Sequence, residues 1–207
     1  MKHRILKLVL PFGLALPLAL APSLADAGTE NAEVAKASAT PLFASLSLPG
    51  TDGRDHTLKS FFRENTRYLV VTFFSASCPC QEAHDSRLKE LHKQWSSRGV
   101  EFVSVDSEAD SSLSADITEA RRRGYPFPIL SDVDGKLADA FDAKFATFTV
   151  ILDREGRVLY RGGIDSDKSH LTDNARHYVR TALSQLFADQ APNPAETKSL
   201  GCFLRRR

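Results

Sequence analysis

The sequence predicts an α/β fold in which a mixed central sheet carries helices on both faces. Segment 68–74 is an unbroken run of apolar, β-branched and aromatic residues, as expected for a strand buried on both sides. The patterns along the chain then follow the order strand, helix, strand, helix, strand hairpin, helix. This alternation is typical of a sheet whose crossover connections are helical.

The amino-terminal segment 1–27 has the three parts of a secretory signal peptide. Three basic residues precede an apolar run over 8–21, and the segment ends in the small residues of 25–27. The run is about 14 residues long, shorter than the ~20 that span a bilayer. We therefore expect cleavage, secretion across the inner membrane to the periplasm, and no transmembrane segment in the mature chain.

The remaining chain divides into three parts. Residues 28–40 are polar and without periodicity, so we predict a disordered linker there, followed by a folded domain over 41–190 and a tail over 191–207. With 27 Lys+Arg against 26 Asp+Glu, the chain has no bulk charge to attract nucleic acid. We interpret the terminal arginines 205–207 as a solvated end.

The first half of the domain predicts short strands, a central strand and a long helix. These segments are 42–48, 56–58, 68–74 and 79–98. Pro79 fits the first turn of the helix because that turn needs no amide donor. Leu88, Leu91 and Trp95 recur with helical spacing, and Gly99 suits the helix end.

The second half predicts strands and helices in alternation. The strands are 100–106, 127–130, 148–153 and 158–161, and the helices are 113–123, 135–141 and 171–186. Gly124 and Pro126 end the first of these helices. Residues 154–157 form a turn that makes the last two strands a hairpin.

Cys78, Cys80 and Cys202 are too few for a disulfide scaffold, so they are candidates for chemistry. Cys78 lies between the central strand and the start of the long helix. Free amides and the helix dipole favour an anion at that point. The thiolate is the reactive form of cysteine, so we predict that Cys78 is a nucleophile.

Two cysteines are possible partners for Cys78. A bond to Cys80 would close a very small ring and would be strained and easily reduced. Cys202 follows the predicted end of the last helix by 16 residues, and an extended chain of that length reaches roughly 50 Å. Either thiol could capture an oxidised Cys78.

Four segments in order carry a family resemblance. They are 73–79 (FFSASCP), 99–105 (GVEFVSV), 150–162 (VILDREGRVLYRG) and 197–202 (TKSLGC). From about residue 41 onward the chain resembles the redoxin branch of the thioredoxin superfamily. That branch includes the alkyl-hydroperoxide-reductase/thiol-specific-antioxidant proteins and exported thiol-disulfide oxidoreductases. The resemblance implies a thioredoxin-like fold.

The resemblance also implies roles for particular residues. Cys78 would attack the substrate, and Ser75 stands where a hydroxyl residue assists the peroxide-reducing cysteine of peroxiredoxins. Cys80 or Cys202 would resolve the first oxidation product. Thr147 stands where thioredoxins carry a cis-proline, so we include it in the predicted site as a departure from that pattern.

Other departures from these families are specific. Gln81 occupies the position of the second cysteine of thioredoxins, whose two cysteines are separated by two residues. Val71 occupies the position of the proline in the peroxiredoxin motif. Neither the thioredoxin mechanism nor the peroxiredoxin mechanism can therefore be assigned in full to this chain.

The sequence thus predicts an exported thiol oxidoreductase without a cofactor. Its partner would be an external thiol reductant, a protein disulfide or a small hydroperoxide. One alternative is a Cu(I) carrier that uses Cys78, Cys80 and His84, because Cys80 and His84 share a helix face at i, i+4 and thiolates select Cu(I). The other alternative is a non-catalytic binding module that keeps the fold.

Overall fold

The structure of the protein, a computed structural model, describes residues 40–206. The predicted signal peptide, 1–27, lies outside the described residues, as does the predicted linker, 28–40, except for Thr40. Thr40 is the first residue of a helix.

The described residues form five α-helices and seven strands. The helices are Thr40–Ser45 (α1), Pro79–Trp95 (α2), Leu113–Arg123 (α3), Lys136–Ala140 (α4) and Tyr178–Phe187 (α5). The strands are Leu48–Pro49 (β1), Asp55–His56 (β2), Tyr68–Phe74 (β3), Val100–Asp106 (β4), Ile129–Ser131 (β5), Thr149–Leu152 (β6) and Val158–Gly162 (β7). None of these helices combines the length and apolar character needed to cross a bilayer.

The central sheet has the strand order β5-β4-β3-β6-β7. Strand β3 is parallel to β4, and β4 is parallel to β5. Strand β6 runs antiparallel to both β3 and β7. The predicted mixed sheet and its strand hairpin are confirmed.

Helices cover both faces of this sheet because the side chains of β3 alternate between two cores. Leu69 packs in a core that also contains Phe43 of α1 and Leu137 of α4. Val70 packs in the opposite core, with Leu88 of α2 and Val179 of α5. The periodicity of two in the strand therefore fixes which helix lies on which side.

The predicted strand over 42–48 is wrong for its first part, because Thr40–Ser45 is helical, whereas Leu48 lies in β1. Phe43 is buried, and Leu42 and Leu46 pack partly buried against the same core. The spacing of these three residues fits one face of a helical turn as well as it fits a short strand. Packing against the core decides between the two.

The last helix starts at Tyr178, seven residues later than predicted. In the preceding loop, the Asp167 carboxylate accepts hydrogen bonds from the amide of Thr172 (2.7 Å) and from its hydroxyl (3.0 Å). The amide of Ser166 donates to the Arg176 carbonyl at 3.0 Å. These local bonds compete with helix formation.

After α5 the chain turns back along the sheet. The amide of Arg161 in β7 donates to the Ala195 carbonyl at 3.0 Å, and the amide of Thr197 donates to the Arg161 carbonyl at 3.0 Å. The tail therefore runs beside the edge strand, in the direction of the amino terminus of α2.

Candidate active site

Cys78 is the residue immediately before α2. Its backbone is extended (φ −88°, ψ 113°), and Pro79 takes the first helical position. The Cys78 amide donates to the Ser75 carbonyl at 3.2 Å, which closes the loop between β3 and α2. The cysteine thus lies at the positive end of a 17-residue helix, where a thiolate is stabilised.

The sulfur of Cys78 is bonded to the sulfur of Cys202. The two residues are 124 positions apart in the chain, and their Cα atoms are 5.8 Å apart. That separation lies in the usual range for a disulfide. Of the two partners left open by the sequence, the structure therefore joins Cys202 to Cys78, while Cys80 is a free, buried thiol.

The backbone around Cys202 is held on both sides. The Ala146 amide donates to the Cys202 carbonyl at 2.9 Å, and the Leu204 amide donates to the Lys144 carbonyl at 2.9 Å. Gly201 lies directly on Ala146, where a Cβ atom would overlap the Ala146 carbonyl oxygen. Only glycine fits at this close contact between the tail and Ala146. Gly201 is therefore required for packing, and the next residue, Cys202, provides the sulfur.

Of the arginines interpreted as a solvated end, Arg205 is 60% exposed but is held at its guanidinium, Arg206 is partly buried, and Arg207 lies outside the described residues. The Arg205 guanidinium donates to the buried carboxylate of Glu108 at 2.8 Å and to the Ser77 hydroxyl at 3.2 Å. Arg206 forms an ion pair with Asp139. The partner of Arg205 could not be inferred from the sequence, because Glu108 is 97 residues away along the chain.

Ser75 is buried and contacts Cys78 through its backbone carbonyl, as described above. Its hydroxyl lies 3.3 Å from the Ser77 hydroxyl. The Ser75 side chain, which was predicted to assist Cys78, therefore lies in the same loop as Cys78. It contacts Ser77, which also accepts a hydrogen bond from Arg205.

Thr147 lies between the end of β3 and the tail. Its amide donates to the Phe73 carbonyl at 2.8 Å, and its hydroxyl is 3.3 Å from that of Ser199. Its φ of +73° is in the left-handed region, which costs a β-branched residue of order 1–3 kcal/mol. A strained residue that joins the central strand to the tail fits a functional position.

His84 does not lie with the cysteine sulfurs, which corrects the ligand set Cys78, Cys80 and His84. Its Nδ1 is 2.7 Å from the Cys80 carbonyl oxygen, and its Nε2 is 3.1 Å from the Asp165 carboxylate. Burial opposes the charged imidazole most strongly, but the bonds to Asp165 and to the Cys80 carbonyl, together with the charge of Asp165, outweigh it and raise the pKa of His84. Both ring nitrogens are thus engaged, Nδ1 within α2 and Nε2 with the loop after β7.

Arg87 completes this buried network. It donates to Asp165 at 2.5 Å and to Asp167 at 2.9 Å. Burial alone would raise the pKa of Asp165, but the bonds from His84 and Arg87 lower it. The network attaches the loop after β7 to α2, one helical turn or more beyond Cys80.

A groove of about 580 Å³ opens beside the disulfide. Cys202, which is half-buried, lines it together with Cys80. Phe203 is 72% exposed at its rim and packs on Phe145, with ring centroids 4.5 Å apart. Lys168 and Lys198 add two exposed positive charges.

On the other side of the active-site loop lie two buried carboxylates. Asp106 ends β4, and Asp116 lies in the first turn of α3. Burial is the largest cause that raises the pKa of Asp106 to about 6 and that of Asp116 to about 8, and the charge of Asp106 adds to the shift at Asp116. The pair lines a small cavity with Ser75 and Arg205.

Residues 30–176 match the Redoxin family. The chain belongs to the redoxin family. The resemblance inferred from the sequence is thereby confirmed, and the cysteine pair at disulfide distance fits the thiol-based oxidoreduction that this membership supports.

One curated relative of this redoxin is the thiol-disulfide oxidoreductase ResA of Geobacillus thermodenitrificans. It is 26% identical over 130 residues, which are 63% of this chain and 70% of ResA.

Three solved structures share the fold. A hypothetical protein of Sinorhizobium meliloti superposes with a TM-score of 0.72 at 23% identity, covering 83% of this chain and 95% of its own. An uncharacterized conserved protein of Geobacillus kaustophilus superposes with a TM-score of 0.72 at 24% identity. The match covers 82% of this chain and 92% of that protein. The bacterioferritin comigratory protein of Xanthomonas campestris, studied for alkyl peroxide reduction, superposes with a TM-score of 0.57 at 20% identity. The match covers 74% of this chain and 97% of that protein. These likenesses confirm the thioredoxin-like fold.

Proposed function

We propose that this redoxin is an exported thiol-disulfide oxidoreductase that cycles between a Cys78–Cys202 disulfide and two thiols. The observation that carries the proposal is the docked tail, which brings a sulfur across 124 residues to the helix end where Cys78 lies. Export is supported by the signal-peptide pattern of residues 1–27. The name of the ResA relative supports disulfide exchange as the reaction.

The two sulfurs of the disulfide have different surroundings, which supports an order of events. Cys78 is 2% exposed, whereas Cys202 is half-buried and lines the groove. An incoming thiolate would therefore attack the sulfur of Cys202. The Cys78–Cys202 bond breaks, a mixed disulfide forms at Cys202, and Cys78 leaves as a thiolate stabilised by the helix end.

The second half of the reaction regenerates both thiols. A second thiol of the donor attacks the mixed disulfide at the donor's own sulfur and releases Cys202. The donor dithiol becomes a disulfide, and two electrons and two protons pass to Cys78 and Cys202. Run in reverse, the same steps reduce a partner disulfide to a dithiol and restore the Cys78–Cys202 bond.

We assign positioning roles to the remaining predicted residues. Thr147 would hold the tail against the end of β3 through Ser199 and Phe73. Ser75 would fix the Cys78 backbone through its carbonyl. Cys80 lies within 4.8 Å of both other sulfurs, so it could exchange with the disulfide, but it is not required for the cycle above.

Reduction of a small hydroperoxide is the second candidate function. The buried Ser75, three residues before Cys78 in the same loop, favours it, as does the structural likeness to a protein studied for alkyl peroxide reduction. In that reaction the Cys78 thiolate would attack the peroxide, giving a sulfenic acid and an alcohol. Cys202 would then form the disulfide and release water.

The test compares two serine variants of the full chain with a small dithiol as the electron donor. Cys202→Ser should lose catalytic turnover of a protein disulfide such as insulin, whereas Cys80→Ser, the matched control, should keep it. Parallel assays with hydrogen peroxide separate the two candidate reactions. Turnover that survives in Cys202→Ser and vanishes in Cys80→Ser would show that Cys80 resolves the reaction and would refute the proposal.

A further inference from the structure

The three cysteines form a cluster of sulfurs at the amino end of α2. Their sulfur atoms all lie within 4.8 Å of one another. Among residues 40–206, this is the one group of three or more potential His, Cys, Asp or Glu ligands at that spacing. Two of its members, Cys78 and Cys80, are buried, and Cys202 is half-buried.

The spacing is close to that of sulfurs bound to one metal ion. Metal–thiolate bonds of ~2.3 Å place two sulfur ligands roughly 4 Å apart in trigonal or tetrahedral geometry. After reduction, the sulfurs of Cys78 and Cys202 would move apart to this distance, and the Cys80 sulfur would approach them by less than about 1 Å. In the oxidised protein, however, Cys78 and Cys202 are joined, so two of the three ligands are unavailable.

Contacts other than the disulfide hold the tail in place, so Cys202 should stay near Cys78 after reduction. The Ala146 and Leu204 amides make backbone bonds on either side of Cys202, and the Leu204 side chain is buried. Arg205 then pairs with the buried Glu108. Reduction by an external dithiol therefore leaves three thiols facing one point.

We propose that the reduced protein binds one Cu(I) ion through Cys78, Cys80 and Cys202. Soft thiolates select Cu(I), and the set contains three sulfurs without a nitrogen or carboxylate ligand at the same spacing among residues 40–206. Binding releases three protons as the thiols become thiolates. The positive end of α2 stabilises the resulting negative charge.

This site differs from the copper ligand set suggested by the sequence. The tail sulfur of Cys202 replaces the imidazole of His84, whose two nitrogens are bonded to Cys80 and Asp165. Zn²⁺ would need a fourth ligand to complete its usual tetrahedron, so a set of three thiolates favours Cu(I). Because the disulfide removes two ligands, metal binding is limited to the reduced state.

The experiment titrates the full chain with Cu(I) anaerobically, against a chromophoric Cu(I) chelator, after reduction with a phosphine. We expect one Cu(I) per chain and an X-ray absorption spectrum with three sulfur neighbours. Cys80→Ser and Cys202→Ser should each weaken binding by roughly 100-fold or more, because losing a ligand costs at least as much as losing its outer partner. Oxidised protein should bind none.

His84→Gln is the matched control and should keep both the stoichiometry and the affinity. Should that variant not fold, the nitrogen content of the wild-type spectrum decides the same question. Absence of bound copper, a nitrogen neighbour, or full affinity in Cys202→Ser would overturn the proposal. So would retention of Zn²⁺ in preference to Cu(I). These readouts need no turnover, so they are independent of the proposed oxidoreductase activity.

Discussion

The guanidinium of Arg205 bonds the buried carboxylate of Glu108 at 2.8 Å, three residues beyond the cysteine that pairs with Cys78. The backbone follows the same path, since the Ala109 amide donates to the Arg205 carbonyl at 2.7 Å. The loop after β4 therefore anchors the tail, and it raises the local concentration of the Cys202 sulfur at the active site.

Glu108→Gln should weaken this anchor without changing the shape of the side chain. We expect a loss of about 1 kcal/mol, the value of a typical net hydrogen bond, and hence a roughly fivefold shift of the thiol–disulfide equilibrium towards the reduced form. Alkylation of the protein equilibrated in glutathione buffers measures the shift. The control Asp139→Asn removes the pair with Arg206 at a side chain that is 74% exposed, and it should have little effect. Equal shifts in both variants would contradict the assignment of the anchor to Glu108.

Gly201→Ala tests the close approach of the tail to Ala146. The new Cβ would overlap the Ala146 carbonyl oxygen, so the tail must move away. Overpacking of this kind costs about 1–3 kcal/mol, and it should disfavour the disulfide by up to roughly 100-fold in the same equilibrium. Gly124→Ala is the control, because no atom lies within 4 Å of its added Cβ. It should lower the stability of the protein through its φ of +62° and leave the redox equilibrium unchanged.

Arg87→Ala tests the buried network behind the active site. It leaves the fully buried Asp165 carboxylate without its arginine, so we expect a loss of about 3–5 kcal/mol in the free energy of unfolding. Urea denaturation measures it. Arg180→Ala breaks an ion pair with Glu90 in which both side chains are at least 36% exposed, and should cost less than about 1 kcal/mol. A similar cost for both variants would show that the network does not hold the loop after β7.

Asp106 and Asp116 should make stability depend on pH. Their pKa values are raised in the folded protein, to about 6 and about 8, above the ~3.9 of an unfolded aspartate. The folded state therefore binds more protons over this window, and their contribution to stability is lost as the pH rises from about 4 through 8. Unfolding free energies at pH 5 and pH 8.5 measure this loss.

Asp116→Asn should reduce this pH dependence and stabilise the protein at pH 8.5 relative to the wild type. Both carboxylate oxygens of Asp116 are buried and face another carboxyl group, Asp106, with no cation among the described residues paired to them, so the charge of Asp116 is costly there. An unchanged pH profile in the variant would mean that the shifted groups lie elsewhere.

Much of the fold could be predicted from the sequence because its strands carry local signals. The bounds of β3 and β4 agree with the predicted segments, since both are runs of β-branched and aromatic residues. Gly99 ends the short 3₁₀ helix Ser96–Arg98 that follows α2, and Gly124 ends α3, both in left-handed conformations. The helix at Thr40–Ser45 was missed because a short apolar segment fits both periodicities, and only the core decides.

The site was predictable only in part. The position of Cys78 at the start of a helix could be predicted from the strand and helix patterns on either side of it. The pairing with Cys202 depends on contacts that no local pattern contains, such as Gly201 on Ala146 and Arg205 on Glu108. A glycine before a tail cysteine, followed by arginines, was the available signal. The residues that this tail segment contacts are identified only in the folded structure.

The central claim is that Cys202 is the redox partner of Cys78. Its most direct test is a disulfide map of the full chain, isolated oxidised, with free thiols blocked in acid before digestion. We predict a Cys78–Cys202 bond and a Cys80 thiol that is alkylated only after denaturation. A Cys78–Cys80 bond, or Cys202 joined to a second chain, would contradict the account.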